Sequence, residues 1–256
     1  MKSSALILLI FLFTGMSSFI SQAQEAPVMP TTYYVIEEFV QPADNQTFIK
    51  VQQEAVDYWK KFEFDVPIFT YATNSGSYYW VLPIENFAGI DQLFKKAGEL
   101  TGKMKEAGYD ANEKFKDLST ARQMVIHWSK DLSYHPDGMM GQTANNTYCE
   151  WTFMYLKPGH EKEATEAAQK YKAFYDSVEE TSDWDVYTVW MGYDTPCWIL
   201  MSRAESEMAM LEQETKLQAK YSEKFQELWN NFSVHVRKIE NQKGWFLPNW
   251  SLNFEQ

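Results

Sequence analysis

Two histidines at matching positions near the ends of the two halves of the chain are the first candidates for a functional role. His127 lies in MVIHWSK and His235 lies in FSVHVRK, at an offset of 108. An imidazole changes its charge near neutral pH, so such a residue can bind a ligand, relay a proton or ligate a metal. A structural role, in which each ring hydrogen-bonds a neighbouring carbonyl, accounts for the pair equally well. The pattern leaves both interpretations open.

These histidines belong to a pattern that the sequence contains twice. Phe39–Trp59 (FVQPADNQTFIKVQQEAVDYW) matches Tyr155–Tyr175 (YLKPGHEKEATEAAQKYKAFY) at an offset of 116. Further blocks match in the same order, including EKFKDL with EKFQEL. Repetition of this kind is the mark of one structural unit written twice. We therefore predict two units, at residues 31–138 and 147–250, with a short polar linker between them.

Each half has the pattern of a strand, a helix, two strands, a helix and a final strand. The β-branched and aromatic residues of TYYVIEEFV and TYCEWTFMYL indicate the first strands. Apolar residues at helical spacing follow each of them, and the turn residues of NSGS and GYDTP predict hairpins. The order β-α-β-β-α-β is that of the ferredoxin-like split βαβ unit. The sequence thus predicts an α+β fold of two ferredoxin-like units.

Two such units, with a KPGH turn between strand and helix in the second, resemble the dimeric α/β-barrel superfamily. The resemblance implies that the two sheets pack together and close a barrel, so that the chain is a fused pseudo-dimer. It covers nearly all of the chain after the N-terminal segment and rests on topology and repeat, not on a catalytic motif. The superfamily includes small monooxygenases, haem-handling enzymes and stress-responsive barrels, and the fold alone does not choose among them.

The alternation of side chains along strands predicts which residues face the barrel interior. In the final strands, the uniformly apolar faces should meet the helices, and the mixed faces should look inward. In the first strands, the faces that carry Glu37 and Phe153 are assigned to the interior. A concave apolar site with a few convergent polar groups is the usual form of a ligand pocket. The predicted ligand-binding residues are His127, His235, Arg237, Glu37, Trp151, Phe153 and Tyr155.

Glu37 has two interpretations. Against a cation such as Arg237 it would form a buried ion pair, which is weak support for a function. Without such a partner, an apolar environment would raise the pKa of its carboxyl group. The sequence does not decide between the two.

The composition and the N-terminus bound the class of protein. The chain has 256 residues, 16% aromatic residues and a formal net charge of −12. An acidic surface makes nucleic acid or an anionic membrane a poor partner. Lys2, an apolar run over Ala5–Phe13, and Ser21 and Ala23 at the cleavage positions predict a signal peptide over residues 1–23. We therefore expect a soluble protein that is exported to the periplasm or beyond.

Cysteine usage adds little chemistry. Cys149 and Cys197 both lie in apolar strand-like runs, where a buried free thiol is the expected state, although export permits a disulfide. The sequence contains no CxxC, no HExxH and no Cys/His cluster. A structural zinc site therefore has no support.

Three functional hypotheses follow from the sequence. The first is a binding or structural module, without a cofactor, that holds a small apolar or aromatic molecule in an aromatic-lined cavity between the two units. The alternative is an oxygenase or haem-handling enzyme. A haem would need His127 or His235 as its axial ligand, and a cofactor-independent oxygenase would need a general base in a dry pocket. The third is carbohydrate binding by exposed Trp and Tyr rings.

Overall fold

The computed structural model describes residues 31–136, 145–178 and 182–254. Within these ranges, eight strands form a closed antiparallel barrel with five helices outside it. The predicted signal peptide and most of the predicted linker lie outside the described residues, and both stay predictions. None of the described helices combines the length and the apolar content that crossing a membrane would require.

The elements follow one another in two similar series along the chain. The first series is β1 (Thr32–Val40), α1 (Asn45–Lys61), β2 (Phe69–Thr73), β3 (Ser77–Ile84), α2 (Ala88–Glu106), α3 (Ala111–Lys114) and β4 (Ser119–Trp128). The second series is β5 (Tyr148–Leu156), α4 (Glu161–Ser177), β6 (Asp185–Met191), β7 (Cys197–Ala204), α5 (Glu207–Ser233) and β8 (Val236–Phe246). Around the barrel the order is β1-β3-β2-β8-β5-β7-β6-β4. The pairings of β2 with β8 and of β4 with β6 therefore join the two series into one closed sheet.

Aromatic rings fill the barrel interior. The ring centroid of Tyr71 lies 5.4 Å from that of Trp151 and 5.3 Å from that of Phe246. Tyr79 also packs against Trp151, with ring centroids 5.7 Å apart. The interior of an eight-stranded barrel is just wide enough for side chains to fill it. The aromatic-lined cavity that we expected between the two halves is thus a packed core.

Both cysteines belong to this interior core. Cys149 and Cys197 are buried and unbridged. Burial raises the pKa of each thiol to about 12. The expectation of buried free thiols is confirmed, and neither group supplies a reactive thiolate at neutral pH.

The β2–β8 seam depends on a glycine. A Cβ at Gly244 would collide with the carbonyl oxygen of Ala72 on β2 and lie 2.7 Å from the ring of Trp151. The absence of a side chain lets the two strands and the interior tryptophan approach one another. Gly244 therefore helps to close the barrel.

The predicted final strand of the second half is displaced in the structure. Phe232 and Ser233 are the last residues of α5, and β8 begins only at Val236. Leu228 and Phe232 are buried four residues apart, which is helical spacing. The ring of Phe232 packs on that of Trp198 at a centroid distance of 6.1 Å. This contact keeps the segment helical where the alternation of apolar residues suggested a strand.

Candidate functional site

The structure brings five of the seven predicted residues together and leaves two apart. Trp151, Phe153 and Tyr155 belong to the interior core of the barrel. Glu37 is fully buried and receives a hydrogen bond from the interior Tyr79. Arg237 lies at the edge of this group, with its guanidinium carbon 5.4 Å from the ring centroid of Tyr155. The remaining two, His127 and His235, lie elsewhere.

The interior position predicted for His127 is wrong. Met124 and Ile126, at alternate positions of β4, belong to the interior core, so His127 projects from the outer face. Its Nδ1 atom lies 3.0 Å from the hydroxyl oxygen of Thr32. Its ring stacks on the half-exposed ring of Trp190, with centroids 4.7 Å apart. Both the barrel interior and the surface under the helices are apolar. The apolar face of β4 could therefore have faced either of them, and it faces the interior.

His235 and Arg237 also lie outside the barrel core. His235 lies between α5 and β8, and its Nδ1 atom is 3.0 Å from Nδ1 of His160. Arg237 is exposed, and its Nε atom donates to the carbonyl of Leu156 at 3.1 Å. The expected inward orientation of His235 is wrong because β8 begins later than the sequence pattern indicated, whereas the guanidinium of Arg237 lies over the ring of the interior Tyr155.

Glu37 is held by a polar cluster at one end of the barrel. Nε of Arg122 donates to one carboxylate oxygen at 3.0 Å, and the hydroxyl of Tyr193 donates to the same oxygen at 2.7 Å. The hydroxyl of Tyr79 lies 2.9 Å from the other oxygen. A buried ion pair therefore exists, as one interpretation of Glu37 required, but its cation is Arg122. The sequence pattern assigns the wrong face of β4 to the barrel interior, and for this reason it does not predict Arg122 as the partner of Glu37.

A second buried ion pair lies at the other end of the barrel. Arg203 contacts Asp185 at 2.6 Å, with side chains only 8% and 7% exposed. The indole of Trp128 donates to the same carboxylate at 2.7 Å, and Nε2 of His135 lies 3.0 Å from it. Burial alone would raise the pKa of Asp185, but Arg203 and His135 outweigh it and lower the pKa to about 2. The group stays a carboxylate and fastens β6 to β7 and to the segment after β4.

A cavity of about 790 Å³, here called the large cavity, lies between α4, α5 and the outer face of the sheet in the second series. Its volume falls in the range of ligand sites, which is roughly 300–1,000 Å³. Apolar and aromatic side chains from both sides form most of its wall. They include Met154, Val186, Trp198 and Leu200 on the sheet, Tyr171 and Tyr175 on α4, and Met210, Leu217, Trp229 and Phe232 on α5.

A few polar groups interrupt this wall. The amide of Gln213 donates to the hydroxyl of Ser182 at 2.8 Å. Partial burial, followed by the charge of Glu150, raises the pKa of the Glu214 carboxyl group above its ordinary value, although Glu214 is an exposed residue of α5. Burial also raises the pKa of Tyr171 to about 12, so that its hydroxyl stays neutral. The cavity thus pairs a carboxylate of increased basicity with a neutral hydrogen-bond donor on an aromatic surface.

A second cavity of about 360 Å³, the small cavity, lies in the first series between α1, α2 and the outer face of the sheet. Trp80 and Leu82 line it, whereas Trp198 and Leu200 line the large cavity. Each pair matches at an offset of 118 in the sequence. The two cavities therefore occupy corresponding places in the two series.

The large cavity does not fit a haem held by His or Cys. All four histidines and both cysteines lie in the described ranges, and none of them lines it. No group of three His, Cys, Asp or Glu residues within those ranges could hold a metal ion. Tyr171, one of the two tyrosines on its wall, is a neutral phenol and not the phenolate that would bind iron. The residues present suit acid–base chemistry on an apolar ligand.

Comparison with models of known families and with curated proteins found no match. Solved structures are similar to the chain. An anthrone oxidase-like protein has a TM-score of 0.59 and 14% identity, with 86% of this chain and 94% of that chain covered. A proposed monooxygenase from Lactobacillus acidophilus NCFM has a TM-score of 0.53 and 11% identity, with 84% and 94% covered. Chlorite dismutase from Candidatus Nitrospira defluvii has a TM-score of 0.50 and 11% identity, with 87% and 93% covered.

This likeness shows the fold, which is that of the dimeric α/β-barrel proteins. The expectation of that barrel is confirmed. Sequence reasoning missed the large cavity because it looked for a site inside the barrel. The signal that could have found it was the repeated outward tryptophan, Trp80 and Trp198, at one position of the corresponding strands.

Proposed function

We propose that the chain is an oxygenase-type enzyme that acts on a small, flat aromatic compound in the large cavity, without a haem. The observation that carries this proposal is a cavity of about 790 Å³ whose wall combines apolar and aromatic side chains and contains one carboxylate of raised pKa. The similar structures described as monooxygenase and anthrone oxidase-like proteins support an enzyme over a purely structural module.

The residues of the cavity have distinct roles in this proposal. Trp198 and Phe232 would bind the flat face of the substrate, because aromatic rings favour stacked and edge-to-face contacts. Tyr171 would donate a hydrogen bond to a carbonyl or phenol oxygen. Glu214 would accept a proton from an acidic C–H or O–H group, since a carboxylate with a raised pKa is a stronger base. The apolar side chains of the wall would cover the face of the carbanion that lies against them.

Anthrone is a suitable probe for this chemistry. Loss of a proton from its CH₂ group gives an electron-rich anion that reacts with O₂. One anthrone and one O₂ then give one anthraquinone and one water, so atoms and electrons balance and no other reductant is needed. The cavity supplies a base, a hydrogen-bond donor for the carbonyl oxygen and an aromatic surface.

We also propose that the two series are ferredoxin-like units fused as a pseudo-dimer and that the mature protein is exported. The strand order β4-β1-β3-β2 in the first series repeats as β8-β5-β7-β6 in the second, which supports the duplication. The corresponding cavities support it as well. The pattern of residues 1–23 supports export.

Oxygen uptake with anthrone tests the proposed activity. The mature chain should consume one O₂ per anthraquinone formed. Glu214→Gln should lower kcat by roughly 10²-fold or more, the usual contribution of a general base. Glu212→Gln is the matched control, because Glu212 is, like Glu214, an exposed residue of α5 but lies outside the cavity wall. Uptake that Glu214→Gln leaves unchanged would refute the assigned base, and anthraquinone binding without uptake would support a binding module instead.

A further inference from the structure

The small cavity has a different chemical character from the large one. Its volume of about 360 Å³ lies at the lower end of the range of ligand sites. Its wall includes the rings of Trp59, Trp80 and Phe94 and aliphatic side chains of α1, α2 and the sheet. It is large enough for a compound of one or two rings. The polar groups in its wall decide which compound fits.

Two buried hydrogen-bond donors in this wall lack a partner. Gln52 is only 3% exposed, and its side-chain nitrogen has no hydrogen-bond partner among the described residues. Tyr34 is 5% exposed, and its hydroxyl has none either. Buried polar groups are almost always paired, because an unmade hydrogen bond in an apolar site is costly. Both side chains line the small cavity.

The carboxylate in the wall of the small cavity already accepts hydrogen bonds from other residues. Glu38 also lines the cavity, but one of its carboxylate oxygens accepts from the indole of Trp80 at 2.9 Å. Its other oxygen accepts from the hydroxyl of Ser119 at 2.5 Å. The wall therefore offers donors and lacks a free carboxylate oxygen. A ligand that completes it must bring an acceptor.

The position of Gln52 in the repeat strengthens this inference. Gln52 lies on the buried face of α1 among Phe48, Val51 and Val56, where an apolar residue would continue the stripe. At the offset of 116 its counterpart in α4 is Ala168, which lines the large cavity. A polar side chain thus stands in the first half where the second half has a methyl group. Helix packing does not require an amide at this place.

We propose that the small cavity is a second ligand site, which binds an apolar compound of one or two rings through a carbonyl or ether oxygen. The oxygen accepts hydrogen bonds from the side chains of Gln52 and Tyr34, and the rings lie against Trp59 and Trp80. This site lies on another part of the sheet from the large cavity and does not depend on the function proposed for it.

Titration with two matched probes tests the proposal. 2-Acetonaphthone carries one carbonyl, and 2-ethylnaphthalene has a similar shape without it. The ketone should bind the mature chain roughly three- to tenfold more tightly than the hydrocarbon, the equivalent of about one net hydrogen bond. In ¹⁵N-labelled protein the side-chain amide signal of Gln52, assigned from its loss in Gln52→Leu, should shift on addition of the ketone.

Matched variants test whether the two unpaired donors of the small cavity bind the ketone. Gln52→Leu and Tyr34→Phe should each reduce the preference for the ketone, and both should fold, because they replace unpaired buried polar groups with apolar ones. Gln92→Leu is the control, since Gln92 is an exposed residue of α2 and does not line the cavity. Glu214→Gln should leave the ketone preference unchanged. Equal binding of the two probes, or a Gln52 signal that stays still at saturation, would overturn the proposal.

Discussion

Replacement of Asp185 by Asn should strongly destabilise the protein. Asp185 and Arg203 are 7% and 8% exposed and contact each other at 2.6 Å. Asn has nearly the same shape but no charge, so the guanidinium of Arg203 would stay buried without a counter-charge. Removal of one partner of such a pair costs about 3–5 kcal/mol. For a chain of this size that loss corresponds to a fall in Tm of roughly 6–20 °C.

The same substitution at the surface provides the control. Asp65 contacts Lys96 at 2.8 Å, but their side chains are 71% and 46% exposed. Exposed pairs contribute about 0.2–1 kcal/mol, so Asp65→Asn should change stability little. Urea denaturation at pH 7 would measure the free energy of unfolding of both variants. The double variant Asp185→Asn/Arg203→Met should recover part of the loss, because the unpaired charge is gone.

A small effect at Asp185 would refute this reasoning. If Asp185→Asn cost less than about 1 kcal/mol, as a surface pair does, the Asp185–Arg203 contact could not be a desolvated ion pair. An equal loss in the single and double variants would instead assign the effect to the hydrogen bonds from Trp128 and His135.

Three further perturbations test other parts of the structure. Burial lowers the pKa of His135, but Asp183 and Asp185 outweigh this effect and raise the pKa to about 9. The stability that protonated His135 contributes is complete below about pH 6.5 and is lost as the pH rises towards 9. Urea denaturation at these two pH values should therefore show a fall in the free energy of unfolding that His135→Gln abolishes. Gly244→Ala should lower Tm because its Cβ collides with β2, whereas Gly98→Ala, with nothing within 4 Å, should stabilise α2 by roughly 0.5–1 kcal/mol. Trp198→Leu should weaken anthraquinone binding roughly tenfold in a fluorescence titration, and Trp190→Leu, outside the cavity wall, should not.

The sequence predicted the class of fold well because the repeat and the turns are local signals. The order of strands and helices in each half followed from hydrophobic period and turn residues. The interior face of β5 followed from three consecutive inward aromatic positions, Trp151, Phe153 and Tyr155. These features need no knowledge of distant contacts.

The faces of β4 and the start of β8 could not be predicted in the same way. In this barrel both faces of the sheet are covered, one by the opposite strands and the other by helices. The polarity of Ile126 and His127 therefore does not show which of the two points into the barrel. For β8, the contact of Phe232 with Trp198 extends α5, and a contact between distant residues is invisible in the local pattern.

The large cavity was beyond prediction for a related reason. Its volume depends on the distance of α4 and α5 from the sheet, and small residues such as Ala168 help to set that distance. Its base candidate, Glu214, looks like any surface glutamate of a helix in the sequence. Only the fold shows that this exposed carboxyl group borders the cavity, where partial desolvation raises its pKa.

A crystal structure of the mature chain grown with anthraquinone would test the central claim most directly. We predict density for one flat tricyclic molecule between α4, α5 and the outer face of β7, with its rings against Trp198 and one carbonyl oxygen near Tyr171. Density for the ligand inside the barrel beside Tyr71 and Trp151, or a large cavity that stays empty at saturating anthraquinone, would contradict the assignment of the site.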